Sequence, residues 1–369
     1  MTVRVSVPRD RSILDDPTNS HNRWWPDLPP VATIGPGDEL LVECRDGMDG
    51  QVHRGSDSAS LAGLNLDANH PLSGPIEVRG ARPGDVLEVE TLAVDCDGFG
   101  ATYVIPGFGL LGDLFDEAEL IRWDIADGVA RSPDLPGVAI RGEPYLGTVG
   151  VAPSWELLER ASEREAALLG RGGSVLPPQP ESAVPAGEPF ASRSLRTIPP
   201  RENGGNLDIR QAGIGSRLLL PVHVDGALLS VGDIHFAQGD GESCGTAIEV
   251  AGVAHLRVGL RRASELSWRS RFPVVLFTAP PESAGGRRYL ATTGIPLSDS
   301  GELGDLDLTL AARRALLELL DHLVATRGYS RAQAYALASV AADLRISEAV
   351  NIPSAIVSAI LPLDVFDEP

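Results

Sequence analysis

Cysteine is scarce: Cys44, Cys96 and Cys244 are the only three in 369 residues, and they form no CxxC pair. That excludes a disulfide framework and points to a reducing compartment, the cytoplasm by default. Basic groups are also few, 31 against 51 acidic ones for a net charge of −20, and lysine is absent altogether. Such a field repels phosphate backbones and anionic lipid, so neither nucleic acid nor a membrane surface is expected as a partner. No apolar stretch approaches the roughly 18–20 residues of a membrane span, and MTVRVSVPRDRS has no apolar core of a secretion signal. HExxH is missing, and without lysine there is no Ser-Lys pair. Aromatics make up only 5% of the chain.

What is present favours a large core. Hydrophobic residues reach 43% and charged ones only 22%, which suits one large unit or two intimately joined ones. Short aliphatic runs punctuated by glycine and proline predict a mainly β, α+β fold with barrel or sandwich elements and C-terminal helices. The chain divides into a β-rich part over 1–153, a helix and Pro-rich connection over 154–200, and a β-rich part with C-terminal helices over 201–369.

Val3, Val5 and Val7 alternate as in an edge strand. Two Pro-Gly-Asp turns, at Pro36 to Asp38 and Pro83 to Asp85, each feed an aliphatic strand. Trp24 and Trp25 read as an aromatic plug, or as the wall of a pocket shared with a neighbouring subunit. Asp46, Asp49, His53 and His70 fall in turn-rich sequence, where such residues mostly make local hydrogen bonds and occasionally line a site. Phe99 to Phe115, with its spaced glycines, reads as a close-packed strand and turn and not as a phosphate cradle. Ser154 caps a helix that ends at Gly170. Asp225-Gly226 predicts a hairpin between two strands. Periodicity predicts one helix over 307–327, ended by Gly328, and a second over 332–345 behind a Ser330/Gln333 capping box. AIVSAILPLDVF then returns to sheet.

The segment from Arg201 to Gly252 stands apart, because acids and histidines interrupt its apolar runs. In a strand over 230–236, Asp233 and His235 face one way and Ile234 and Phe236 the other. Glu249 sits inside GTAIEVAGVAHL, where an unpaired carboxylate is costly and calls for a partner, a metal or a proton. Asp208 follows GGN, and Asp240 and Glu242 flank the second glycine of GDGE.

The strings PPRENGGNLDIR and LLSVGDIHFAQGDGESCGTAIE resemble the signature of the acetamidase/formamidase family. GPIEVRGARPGDVLEVE, IPGFGLLGD, GTVGVAPS and the tail from Ser330 extend the resemblance over most of the chain. It implies hydrolysis of a short carboxamide to carboxylate and ammonia, and by analogy a homo-oligomer. Asn203 departs from the pattern, since many members carry His immediately before the glycine pair.

Amide hydrolysis needs a nucleophile, a stabilised oxyanion and a proton for the leaving ammonia. A divalent metal, zinc by ligand type, answers the first two, with Asp208, Asp233 and His235 as ligands. Glu249 or Glu242 then serves as base and acid, with Asp240 in the same catalytic group. Asn203, Gly205, Asn206 and Gln238 are the candidates for holding the substrate. Two alternatives stand beside this: Cys244 as a nucleophile activated by His235, and a β-scaffold that binds a small molecule without catalysis.

Overall fold

The computed structural model describes residues 1–268, 270–278, 288–349 and 354–367. Its strands form where turn residues separate the aliphatic runs. In chain order the main ones are β1 (Glu39–Cys44), β2 (Leu72–Val78), β3 (Val86–Val104), β4 (Glu119–Ala126), β5 (Tyr145–Gly150), β6 (Gly204–Asn206), β7 (Arg217–Pro221), β8 (Leu229–His235) and β9 (Glu249–Arg261). Helix α1 (Trp155–Leu169) lies between β5 and β6. All nine strands belong to one 15-stranded sheet, which branches instead of closing into a barrel. The fold is mainly β with a minority of helix, as the composition implied.

The two Pro-Gly-Asp turns do the same work twice. They launch β1 and β3, which pair antiparallel with β9 from its two sides, so that Gly252 faces both Cys44 and Cys96. Leu40, Val42, Ala254, Leu256 and Val258 are buried around this axis. The N-terminal alternation is a strand as well, Thr2–Val5, parallel to β1.

Strand β8 is buried along its whole length. It is held by β5, β2 and β9 together, so residues from both β-rich parts of the chain meet on it.

Asp225-Gly226 does not close a hairpin. The strand before it, β7, pairs with β3, and the strand after it, β8, pairs with β2. Gly226 instead donates to Ala81 and accepts from Val78, so long-range pairing overrides the local turn signal. Ala227 and Leu228 absorb the bend at positive φ. The string Gly107 to Gly112 has the spacing GxGxxG, yet only a three-residue 3-10 turn, Gly112–Leu114, follows it. No helix N-terminus is there to receive a phosphate.

Beyond the main sheet, β10 (Tyr289–Gly294), α2 (Leu308–Arg327), α3 (Arg331–Ala341), β11 (Asp343–Glu348) and β12 (Ile356–Pro362) form a separate layer in which β12 lies between β10 and β11. The Gly328 end and the Ser330/Gln333 box are as the sequence predicts, and Asp307, read there as the first helical residue, is the N-cap. Asp307 accepts from Leu310, Gly328 closes α2 at φ 71°, and Ser330 and Gln333 make a reciprocal capping box. Helix α3 stops at Ala341, four residues short of its predicted end, because Asp343 and Leu344 bond to other segments. The Asp343 carboxylate takes Arg210 and the Asp240 N–H, and Leu344 N donates to Asp240 O.

Candidate active site

Two local departures from regular structure build the site. Asp233 lies at φ 59° and Asp208 at φ 49°, a left-handed backbone that Asp tolerates better than most residues. The ladder between β5 and β8 pairs Leu146 with Ile234 and Thr148 with Gly232, and passes over Gly147 and Asp233. Gly147 O instead accepts from Leu207 N and Asp208 N. A Cβ on Gly147 would stand 2.7 Å from Asp208 Oδ1, 2.8 Å from His235 Cε1 and 2.9 Å from Asp233 Oδ2. Only glycine lets these three groups converge. Gly47 does the same from the other side, its missing Cβ falling 2.4 Å from Asp233 Oδ1 and 3.2 Å from Glu249 Oε2.

His235 is the hub. Its Nε2 lies 3.3 Å from Glu249 Oε2 and 3.5 Å from Asp233 Oδ1, and its Nδ1 is 3.9 Å from Asp208 Oδ1. Gln238 Oε1, 2.9 Å away, and Tyr145 OH, 3.0 Å away, hold Nδ1. Tyr145 OH also donates to Gln238 Oε1, and Gln238 Nε2 to Asp208 O. The imidazole is therefore fixed with Nε2 turned to the carboxylates. The Asp208, Asp233 and His235 ligand atoms lie within 4.8 Å of one another, and so do those of His235, Glu242 and Glu249.

The charges are strongly coupled. Burial works against the His235 cation, but Glu249, Tyr145 and Asp233 outweigh it and hold the imidazole protonated well above its usual range. Burial likewise opposes ionisation of Asp233, and the neighbouring His70 and His235 reverse that, drawing its carboxyl below the ordinary value. Asp208 is pushed up to about 7 by burial against the pull of His235, with Asp233 and Glu249 adding to the rise. Burial and Asp208 drive Glu242 well above the carboxylate range. Asp208 and Glu242 thus favour a shared proton, as close carboxyl pairs do. Asp46, held by the N–H groups of Met48 and Gly50, reaches about 7 through burial, with Asp49 and Glu249 contributing.

The donor set suits a cation. Glu249 Oε2 and Asp208 Oδ1 are buried without a hydrogen-bond donor, a costly state that a metal ion or a proton relieves. Imidazole nitrogen with carboxylate oxygens is a zinc-type combination.

Other sequence candidates are placed differently. Asp240 is taken up by Gln211 at 2.9 Å and by its backbone bond to Asp343, and it belongs to neither ligand group. Asn203 is fully buried, and its Nδ2 donates to Val151 O at 2.7 Å, clipping the end of β5. Gly205 pairs with Val149 at φ 106° beside Trp24. Asn206 reaches the cluster through Thr148, whose hydroxyl donates toward Asn206 Oδ1 at 2.9 Å and Asp233 Oδ2 at 3.2 Å. Gln238 orients His235 from behind. Asp49 is occupied by Ser12 and the Ile13 N–H, and His53 by the Gly55 N–H.

Cys244 is buried, its thiol donates to the Tyr103 and Thr246 carbonyls, and burial raises its pKa. A thiol in that state is a poor nucleophile. Gly241-Glu242-Ser243-Cys244-Gly245 has the letters of GxSxG, but it lies in a turn between β8 and β9 with no helix behind it. Ser243 Oγ has no hydrogen-bonded base, so the segment lacks the strand-to-helix elbow. Trp24 and Trp25 are buried, Trp25 edge-on to Trp155 and Phe190, which makes them an internal plug.

Sequence reasoning passed over Tyr145, Gly147 and Gly47 and gave His70 little weight. Nothing in one-dimensional pattern marks them, except that Gly147 sits in the GTVGVAPS string.

The profile of the Acetamidase/Formamidase family matches residues 6–368. A formamidase of Methylophilus methylotrophus is 35% identical over 100% of this chain and 94% of its own length. An acetamidase of Mycolicibacterium smegmatis is 34% identical over 90% and 88%. Among solved structures, the gamma lactamase from Delftia acidovorans superposes with a TM-score of 0.93 at 34% identity, over 99% of this chain and 94% of that one. An acetamidase from Bacillus halodurans, at 24% identity and a TM-score of 0.58 over 98% of both chains, shares the fold.

Proposed function

The chain belongs to the acetamidase/formamidase family, and we propose that its buried cluster hydrolyses the C–N bond of a short aliphatic carboxamide, releasing ammonia. The observation that carries this is the convergence of Asp208, Asp233, Glu242 and Glu249 on His235, with two buried carboxylate oxygens left without donors. Asp208, Asp233 and His235 would hold a divalent cation, zinc by ligand type. When bound, such a cation lowers the pKa of water toward about 7 and polarises a carbonyl.

The protein's own groups supply the rest. Glu249 Oε2, buried without a hydrogen-bond donor, accepts the proton of the attacking water. Glu242, whose carboxyl is held well above the usual carboxylate range by burial and Asp208, delivers a proton to the departing nitrogen. Tyr145 and Gln238 keep Nε2 of His235 turned inward. No helix among the described residues is long and apolar enough to cross a membrane, and the proposed substrate is a small molecule in solution.

The test is ammonia release by the purified protein from formamide and acetamide, and formation of the ring-opened amino acid from a γ-lactam, the last because one relative is named a gamma lactamase. Activity on a linear amide that is lost in Asp233→Asn and on chelation supports the proposal. Binding of the amides without turnover would favour the non-catalytic scaffold.

A further inference from the structure

We propose that His70, which sequence pattern left among loop residues, is the group that donates a hydrogen bond to the carbonyl oxygen of the substrate. The inference rests on the amide-hydrolase assignment of the site and adds an oxyanion donor to it.

The two imidazoles of the cluster differ in their commitments. His235 has a 1% exposed side chain with both ring nitrogens occupied. His70 side-chain exposure is 13%, and Asp208's is 18%, against 3% for Asp233. The solvent side of the cluster is thus the side of His70 and Asp208. His70 Nε2 stands 4.0 Å from Asp233 Oδ2, beyond hydrogen-bond distance. Its Nδ1 is buried with no partner. A buried N–H without an acceptor is rarer than a buried lone pair without a donor, so the ring's available donor is Nε2, on the side of Asp233.

His70 Nε2 is thus a donor without a hydrogen-bonded acceptor on the more exposed side of the cluster. A carboxamide offers the matching acceptor in its carbonyl oxygen. The backbone of His70 is anchored for the task, since its N–H donates to Thr197 Oγ1 at 2.5 Å and Thr197 is fully buried. In the tetrahedral intermediate the carbonyl oxygen becomes negative, and a fixed donor in a site shielded from water stabilises that charge most.

The test compares wild type, His70→Ala and His70→Gln by ammonia release from acetamide and by metal content of the purified proteins. The expected result is a fall in kcat of about 100-fold or more in His70→Ala, partial recovery in His70→Gln, whose amide keeps a donor, and unchanged metal content in both. A kcat within threefold of wild type, a change confined to KM, or loss of metal equal to that in His235→Ala would each overturn the proposal. Should wild type release no ammonia, the amide-hydrolase assignment fails separately, and calorimetric titration of acetamide decides the His70 contact. Tenfold or greater weakening in His70→Ala supports it; equal affinity, or no binding by wild type, refutes it.

Discussion

His235 and Glu249 face each other directly across the β8–β9 ladder, and their Nε2 and Oε2 atoms lie 3.3 Å apart. Register alone puts carboxylate and imidazole together, since directly opposite residues share one face of a sheet. Glu249 Oε1 is anchored on the Ala247 N–H at 2.9 Å, which leaves Oε2 for chemistry. Glu249→Gln keeps an oxygen for that anchor and removes the charge. Its kcat for acetamide falls by roughly 100-fold to 10,000-fold with the fold intact by circular dichroism. Activity within a factor of three of wild type would remove Glu249 from the mechanism.

Gly147→Ala places a methyl group against Asp208, Asp233 and His235 at once. Overpacking of this kind costs about 1–3 kcal/mol, and the displaced groups are the reactive ones. Thermal unfolding should show the loss of stability, and ammonia release should fall further than that loss accounts for. Full activity in the variant would mean that the cluster does not need to converge.

Gln238→Leu frees His235 Nδ1 and the Tyr145 hydroxyl from their shared acceptor. Partners behind a ligand are typically worth 10-fold to 100-fold in metal affinity or activity. Competitive chelation measures the first and acetamide turnover the second, and both should weaken.

Cys244→Ala leaves every group of the cluster in place. Ammonia release should stay within about threefold of wild type, with a stability cost of roughly 1 kcal/mol for the lost packing. Iodoacetamide should not inactivate the wild type. Stoichiometric inactivation with alkylation at Cys244 would restore the thiol mechanism.

The metal-free protein should lose stability as pH rises from about 4 to about 7, because Asp46 and Asp208 are raised to about 7 by burial from an ordinary 3.8. A raised carboxyl stabilises fully below its unfolded pKa, and that contribution is lost as pH climbs through the folded value. His235, raised above 6.5, extends the loss to higher pH, while the depressed Asp233 contributes constant stability above 3.8 and loses it only at lower pH. Calorimetric Tm values with chelator should therefore decline over this window, and a divalent cation should flatten the decline. A Tm that rises through the window would contradict these shifts.

Local physics made much of the chain legible. Ser154, Asp307, Gly328 and the Ser330/Gln333 pair announce helix ends because caps depend on neighbours within four residues. Asp208, Asp233, His235, Glu242 and Glu249 could be singled out because charge inside apolar runs is costly anywhere it is buried. The same local logic misled at Asp225-Gly226, where no hairpin forms, and at Asp343, where an ion pair with Arg210 and a strand replace the last helical turn.

By itself the sequence determined the class of fold and, through its long matching strings, the family, and it singled out the acids and the histidine that cluster around β8. Tertiary structure decided which acids share a cluster. Asp240 follows Gln211 out of the group, whereas Asp46, Tyr145 and His70 come into it from strands and loops some 90 to 190 residues away from His235 along the chain. The reason is the ladder itself: strand pairing fixes neighbours by register across long separations, and no periodicity within one strand records what its partners will bring.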